Sequence, residues 1–101
     1  MMTKGYWIAH LDVHDLDRYK TYVAAIAEPL RKHGGRFIVR AGAFEKKEGN
    51  ARSRHIVIEF PSYDAALACY NSPEYQQAIK LRTPYSDADL IVLEGYEGAQ
   101  P

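Results

Sequence analysis

The chain has 101 residues, of which 47% are hydrophobic and 26% charged, and 13 basic residues balance 13 acidic ones. This length corresponds to about one domain, and the composition is ordinary for a globular protein, which excludes a disordered chain, a fibrous repeat and a disulfide scaffold. The zero formal charge argues against a nucleic-acid partner, because nucleic-acid-binding proteins usually carry a basic excess. We predict one domain over residues 1–101, with an ordered core at about 4–96.

The sequence also lacks signals for export or membrane insertion. No apolar run approaches the roughly 18 residues of a membrane span, and the first residues lack the apolar stretch of a signal peptide. The single cysteine, Cys69, cannot form an internal disulfide, and with no basic neighbour in sequence it is expected to be a packed, inert thiol. These features predict a cytoplasmic protein without a membrane partner.

The first half of the chain has the pattern of a strand, a helix and a second strand. Residues 5–13 are aromatic and apolar with a period of two, which predicts a strand. Asp15 is a candidate N-cap for a helix whose apolar residues recur every three or four positions and which ends at residues 34–35, both glycine. Pro29 lacks an N–H and is expected to kink or restart that helix. Residues 36–41 alternate again, which predicts the second strand.

The second half repeats this order. Residues 54–60 alternate most clearly and predict a strand. Ser62 is a candidate N-cap for the next helix, and residues 72–73, serine and proline, are a second helix-start signal. Residues 83–84, threonine and proline, are expected to end it, because the residue before proline disfavours helix. Residues 89–96 predict the last strand.

This order, β-α-β-β-α-β, is that of the ferredoxin-like α+β folds. It predicts one four-stranded antiparallel sheet with the first and third strands at the centre and the helices on one face. One apolar face of each strand then packs under the helices. The residues assigned to the other, open face are Tyr6, Ile8, His10, Asp12, Ile38, Arg40, His55, Val57, Glu59, Leu90, Val92 and Glu94.

The open face is too apolar to be left in water and too polar for a dry core. A second copy of the chain covering it explains both properties, so we predict a homodimer whose open sheet faces pack around a polar cleft. The alternative is a monomer with one half-solvated sheet face, which antiparallel sheets allow.

His10 and His55 are the candidate proton-transfer residues, since histidine titrates near neutral pH. They lie on the two central strands and on the same face. One antiparallel register places them opposite each other, and neighbouring registers separate them by one diagonal step, still within reach. Glu59 or Glu94 is expected to orient a histidine, and Arg40 to bind a carboxylate or an enolate-like oxygen. Such a set suits proton abstraction beside a carbonyl or activation of a phenol toward oxygen. The alternative is that these groups only bond one another and fasten the dimer.

Other chemistries have little support in the sequence. The histidines lack HxH or HxxxH spacing, so no metal site is predicted. The absence of P-loop, GxGxxG, GxSxG and CxxC motifs leaves nucleotide, serine-hydrolase and dithiol chemistry without support, and no cofactor is predicted.

Six segments, in chain order, resemble the domain-of-unknown-function 1330 family. They are residues 5–9 (GYWIA), 34–40 (GGRFIVR), 58–62 (IEFPS), 65–67 (AAL), 70–76 (YNSPEYQ) and 94–96 (EGY). The resemblance covers nearly the whole chain, from about Lys4 to Tyr96. It implies a dimeric α+β barrel and no established activity. Related branches include cofactor-free oxygenases, isomerases, haem-degrading enzymes and small-molecule sensors.

The sequence thus predicts a soluble homodimer that binds a small organic molecule, either between sheet and helices or in the cleft between subunits, with cofactor-independent acid/base chemistry. In that hypothesis His10, His55 and Glu59 are catalytic, and Tyr6, Arg40 and Glu94 contact the ligand. The alternative is a non-catalytic structural or regulatory dimer module whose cleft residues only hold the interface.

Overall fold

The computed structural model describes residues 3–101. Its elements are β1 (Gly5–Val13), α1 (Leu16–Lys32), β2 (Arg36–Arg40), β3 (Arg54–Phe60), α2 (Tyr63–Asn71), α3 (Pro73–Arg82), a 3₁₀ turn (Thr83–Tyr85) and β4 (Ser86–Glu94). The four strands form one antiparallel sheet in the order β2-β3-β1-β4. The predicted ferredoxin-like α+β fold is therefore confirmed, with β1 and β3 at the centre. Within residues 3–101, no helix is long and apolar enough to cross a membrane.

The helices begin at the predicted caps. The side chain of Asp15 accepts a hydrogen bond from the Arg18 N–H, and Ser62 and Ser72 cap α2 and α3 in the same way. Such caps satisfy N–H groups that have no partner inside the helix. Pro29 is buried inside α1, which is one continuous helix from Leu16 to Lys32, so the predicted restart is wrong.

The face of the sheet under the helices, here the inner face, carries the core. Trp7, Ile58 and Phe60 are all at most 3% exposed. The indole Nε1 of Trp7 donates to the Ala66 carbonyl at 2.9 Å, and its ring packs at 4.7 Å from that of Tyr75. Because this tryptophan joins β1 to both later helices, it fixes the sheet against the helical layer.

Gly5 marks the closest approach between sheet and helices. A Cβ at this position would overlap the Ser62 carbonyl and lie 2.7 Å from the Tyr63 Cα. Both contacts are with backbone, which cannot move aside as a flexible side chain can. The packing of β1 on the start of α2 therefore requires glycine at position 5.

The two edge strands differ from expectation. β2 ends at Arg40, one residue earlier than predicted, and a β-bulge between Phe37 and Val39 interrupts its pairing with β3. β4 runs from Ser86 to Glu94 rather than over residues 89–96. These differences decide which side chains lie on the opposite, open face.

Candidate functional site

The open face consists of rows of side chains that cross the strands. The strand register defines a tyrosine row of Leu93, Tyr6, Glu59 and Arg36, an apolar row of Ile91, Ile8, Val57 and Val39, and a histidine row of Asp89, His10 and His55. The apolar row runs across all four strands, with Ile91 53% and Val39 43% exposed at its ends. The histidine row lies directly beside it.

The predicted histidine pair is present. His10 is the register partner of His55, and their Nδ1 atoms lie 2.8 Å apart. Since a hydrogen bond needs one donor and one acceptor, one Nδ1 carries a proton and the other presents a lone pair. The contact therefore links the two central strands through their imidazoles.

Asp89 extends the histidine row to β4, where it is the register partner of His10. Its carboxylate accepts from Arg52 Nε at 2.9 Å, and the same guanidinium donates to Asp12 at 3.0 Å. Ser53 donates a backbone N–H and its hydroxyl to Asp12. Those Ser53 hydrogen bonds are the main reason that the pKa of Asp12 lies below its usual value.

A cleft of about 170 Å³ opens at this point. Its lining residues are His10, Asn50, Ala51, Arg52, His55 and Asp89. The cleft therefore places two imidazoles, a cation and a carboxylate around one small space, at the edge of the apolar row.

His55 is the more enclosed of the two histidines. The ring of Phe44, from the loop after β2, meets the His55 ring edge-on at 4.5 Å between centroids. The His55 Nε2 is buried without a hydrogen-bond partner among residues 3–101. An orphaned buried nitrogen of this kind is uncommon in folded proteins and is a place where a ligand or water can bond.

Glu59 does not reach the histidines. It lies four residues from His55 along β3, which is about 13 Å for an extended strand. Its carboxylate instead accepts from Arg36 at 3.0 Å and from the Tyr6 hydroxyl at 3.4 Å, and the Arg36 bond is the main cause of its lowered pKa. Tyr6 and Glu59 thus form a separate cluster, and the prediction that Glu59 orients a histidine is wrong.

Arg40 is on the inner face, so its predicted place on the open face is wrong. The bulge adds one residue to β2, after which Val39 pairs with Val57 and Arg40 with Ile56. The side chains beyond the bulge are therefore inverted relative to simple alternation. The guanidinium of Arg40 stacks on the ring of Phe37 at 4.0 Å.

The predicted position of Glu94 is wrong for a related reason. Glu94 is the register partner of Gly5, whereas Ile91 is the partner of Ile8. The open face of β4 therefore carries its odd-numbered residues, and the predicted open-face residues Leu90 and Val92 pack against the core instead.

Sequence reasoning missed Asp89 and Arg52, which line the cleft, and Phe44, which packs on His55. Asp89 is absent from the predicted open face, although it is the register partner of His10. Arg52 and Phe44 lie in the loop between β2 and β3, where no periodicity reports on side-chain direction. Cys69, by contrast, is buried as predicted, and burial raises its pKa to about 12, as expected of an inert thiol.

Comparisons with known proteins add a family and a fold. A family model described as a domain of unknown function, DUF1330, matches residues 4–96. No curated protein matches the chain. Among solved structures, the RPA0582 protein of unknown function from Rhodopseudomonas palustris is 18% identical with a TM-score of 0.73, covering 97% of this chain and 86% of that one.

Two further structures are similar over most of their length. SnoaB, a cofactor-independent oxygenase from Streptomyces nogalater, is 12% identical with a TM-score of 0.63, covering 95% of this chain and 96% of its own. A dimeric ferredoxin-like protein of unknown function from Thermobifida fusca is 14% identical with a TM-score of 0.59, covering 93% and 92%. At these identities the likeness shows the fold alone.

Proposed function

This chain belongs to the DUF1330 family, whose description assigns no activity, so we propose a function from its own residues. The protein is a homodimer joined through the open sheet faces. It binds a small organic molecule at the histidine cleft and moves a proton to or from that molecule. The observation that carries the proposal is the 2.8 Å contact between His10 and His55 beside Arg52 and Asp89.

The apolar row supports the homodimer. Four aliphatic side chains in line across a sheet form a continuous surface that is costly to leave in water, and Ile91 is 53% exposed. Pairing of two identical faces about a twofold axis covers that row with a second copy of the same chain, so no different protein is needed. The similar protein from Thermobifida fusca is described as dimeric. Dimerisation on this face would also shield the cleft and strengthen its electrostatic interactions.

The histidine pair supports acid/base chemistry. In the neutral pair, the histidine that donates through Nδ1 has a lone pair on its Nε2, where it can accept a proton from a substrate and later return it. Two classes of substrate suit an imidazole acting as a general base. One has a C–H beside a carbonyl, and the other has a phenolic O–H. The similar SnoaB is described as a cofactor-independent oxygenase, a class compatible with proton removal from an organic substrate.

Arg52 and Asp89 support the placement of the ligand. Their ion pair, at 2.9 Å, closes the side of the cleft that faces β4. Arg52 has further N–H groups with which to hold an oxygen of the ligand.

The test is a thermal-shift screen of small carbonyl and phenolic compounds, followed by titration of hits against His10→Gln and His55→Gln. A ligand at one hundred times its Kd stabilises the folded state by about 2.7 kcal/mol, which is a shift on the order of ten degrees for a domain of this size. We expect both variants to fold and to lose the shift.

His14→Gln is the matched control. His14 is exposed and bonds Asp87 outside the cleft, so this variant is expected to keep the full shift. A hit that stabilises all three variants equally would place the ligand elsewhere. A screen without hits would contradict the proposal that the cleft binds small carbonyl or phenolic compounds.

The second candidate is a non-catalytic dimer module, favoured by the fact that His10 and His55 already satisfy each other's Nδ1 atoms. In that case the histidine variants weaken dimerisation and no compound shifts the melting temperature.

We further propose that the protein is located in the cytoplasm, where a single thiol such as Cys69 stays reduced. Cell fractionation tests this location.

A further inference from the structure

A second site lies on the other side of the sheet, between the inner face and α1. A cavity of about 30 Å³ is enclosed there by core side chains and three arginines. The arginines are Arg40 from β2, Arg54 from β3 and Arg82 from the end of α3. The rest of the wall is mostly apolar and aromatic, and includes Trp7.

These cations have no anionic partner in the part of the chain that the structure describes. Across residues 3–101, no ion pair within 4.0 Å involves any of the three. The Nε atoms of Arg54 and Arg82 are buried and make no hydrogen bond. Burying an unpaired charge or an unbonded N–H is unfavourable, so two such groups at one cavity need an explanation.

Aromatic rings hold the guanidinium groups in place without neutralising them. Arg54 lies 5.4 Å from the ring centroid of Tyr19, and Arg82 lies 5.3 Å from that of Tyr22. A cation over a ring is attracted to its face, but the ring supplies no acceptor for Nε. The stacking therefore orients both groups, and their Nε–H donors stay without an acceptor.

The tyrosine hydroxyls beside Arg82 do not supply the missing charge. Tyr22 and Tyr75 bond each other at 2.8 Å between oxygens, and burial raises the pKa of both above its ordinary value. Both phenols are neutral at physiological pH, and the cavity keeps a net positive charge.

We propose that this cavity is a binding site for a small organic carboxylate, with the carboxylate accepting from Arg54 and Arg82 and its short apolar part lying against the aromatic wall. Guanidinium groups suit carboxylates because their N–H donors match the two oxygens. The size of the cavity restricts the ligand, since one water-sized sphere needs roughly 10–15 Å³. This site is separate from the histidine cleft and does not rest on the function proposed there.

Trp7 provides a direct readout, because it is the only tryptophan in the sequence and lines the cavity. Its fluorescence is titrated with sodium acetate at constant ionic strength set by sodium chloride, and in parallel with acetamide. Acetamide has the same shape as acetate without the charge. We expect a saturable change with acetate and none with acetamide.

Variants then locate the response. Arg82→Met is expected to weaken acetate binding by about tenfold or more, since a hydrogen bond to a charged group contributes roughly that factor. Arg54→Met is expected to do the same. Arg31→Met is the matched control, because Arg31 is exposed on α1 and paired with Glu28, and it should bind acetate like the parent.

Each other outcome counts against the site. Equal responses to acetate and acetamide, or no saturable response in the parent chain, would overturn it. A response suppressed by sodium chloride would mean a site for any anion, not for carboxylates. If the methionine variants do not fold, Arg82→Lys keeps the charge but loses Nε, and unchanged acetate affinity in that variant would contradict the proposed hydrogen bond.

Discussion

The two faces of the sheet are built from the same strands but treat polar groups differently. On the inner face, apolar side chains exclude water, and its arginines lie at one cavity without an anion. On the open face, charged and imidazole groups pair with one another beside an apolar row. The inner face thus holds the fold together, while the open face is the surface to which we propose that a second copy binds.

The largest difference should appear when the same substitution is made on each face. Ile58→Ala removes a core side chain that is 3% exposed and should lower the free energy of unfolding by about 2–5 kcal/mol. Ile91→Ala, at 53% exposure, should lower it by about 0.5 kcal/mol or less. Urea unfolding at several protein concentrations separates loss of fold from loss of association. If both variants lost the same unfolding free energy at every protein concentration, the distinction between the two faces would be contradicted.

Gly5→Ala tests the closeness of the inner face to the helices. The new Cβ meets the backbone of Ser62 and Tyr63, so we expect destabilisation of about 1–3 kcal/mol from overpacking. Gly42→Ala is the matched control, because a Cβ there has nothing within 4 Å. Thermal unfolding of both variants makes the measurement, and similar melting temperatures would contradict the close approach.

The pH dependence of stability should also differ between faces. Burial raises the pKa of Tyr22 above its ordinary value of 10.0, so its contribution to stability is complete below about pH 10 and is lost as pH rises further. The pKa of Glu59 is lowered from 4.5, chiefly by Arg36, so its contribution is present above that value and is lost as pH falls.

Urea unfolding of two variants across pH tests which group causes each loss of stability. Tyr22→Phe should reduce the loss of unfolding free energy at alkaline pH and keep the loss at acid pH, and Glu59→Gln should do the reverse. An undiminished loss at alkaline pH in Tyr22→Phe would show that another group causes it.

The smallest effect is expected from the ion pairs of the open face. Arg52→Met removes the bonds to Asp12 and Asp89, yet partly exposed ion pairs contribute only about 0–1 kcal/mol. We expect a change in unfolding free energy within that range, measured in urea against Lys47→Met, which loses an exposed pair with Glu45. A loss as large as that of Ile58→Ala would show that the open face also holds the fold.

The faces of the central strands could be predicted from sequence because alternation assigns each residue of β1 and β3 to one side of the sheet. That assignment places His10 and His55 together on the open face. It leaves the register open, and the structure has the register in which the two histidines are opposite each other.

The edge strands could not be predicted in the same way. Residues 90–93 of β4 are all apolar. The inner face is therefore apolar whether it carries the odd- or the even-numbered residues, and the sequence does not determine the face of Glu94. In β2 the bulge at Ile38 inserts a residue without a sequence signal, which moved Arg40 to the inner face. The arginine cavity was missed because it is formed by residues from three elements that only the tertiary structure brings together.

The most direct test of the open face is its oligomeric state by sedimentation equilibrium. Val57→Lys places a charge in the apolar row, and Ala24→Lys places the same charge at an exposed position on α1. The account predicts a dimer for the parent chain and for Ala24→Lys, and a folded monomer with unchanged circular dichroism for Val57→Lys. A monomeric parent chain, or a Val57→Lys variant as dimeric as Ala24→Lys, would contradict the claim that a second copy covers this face.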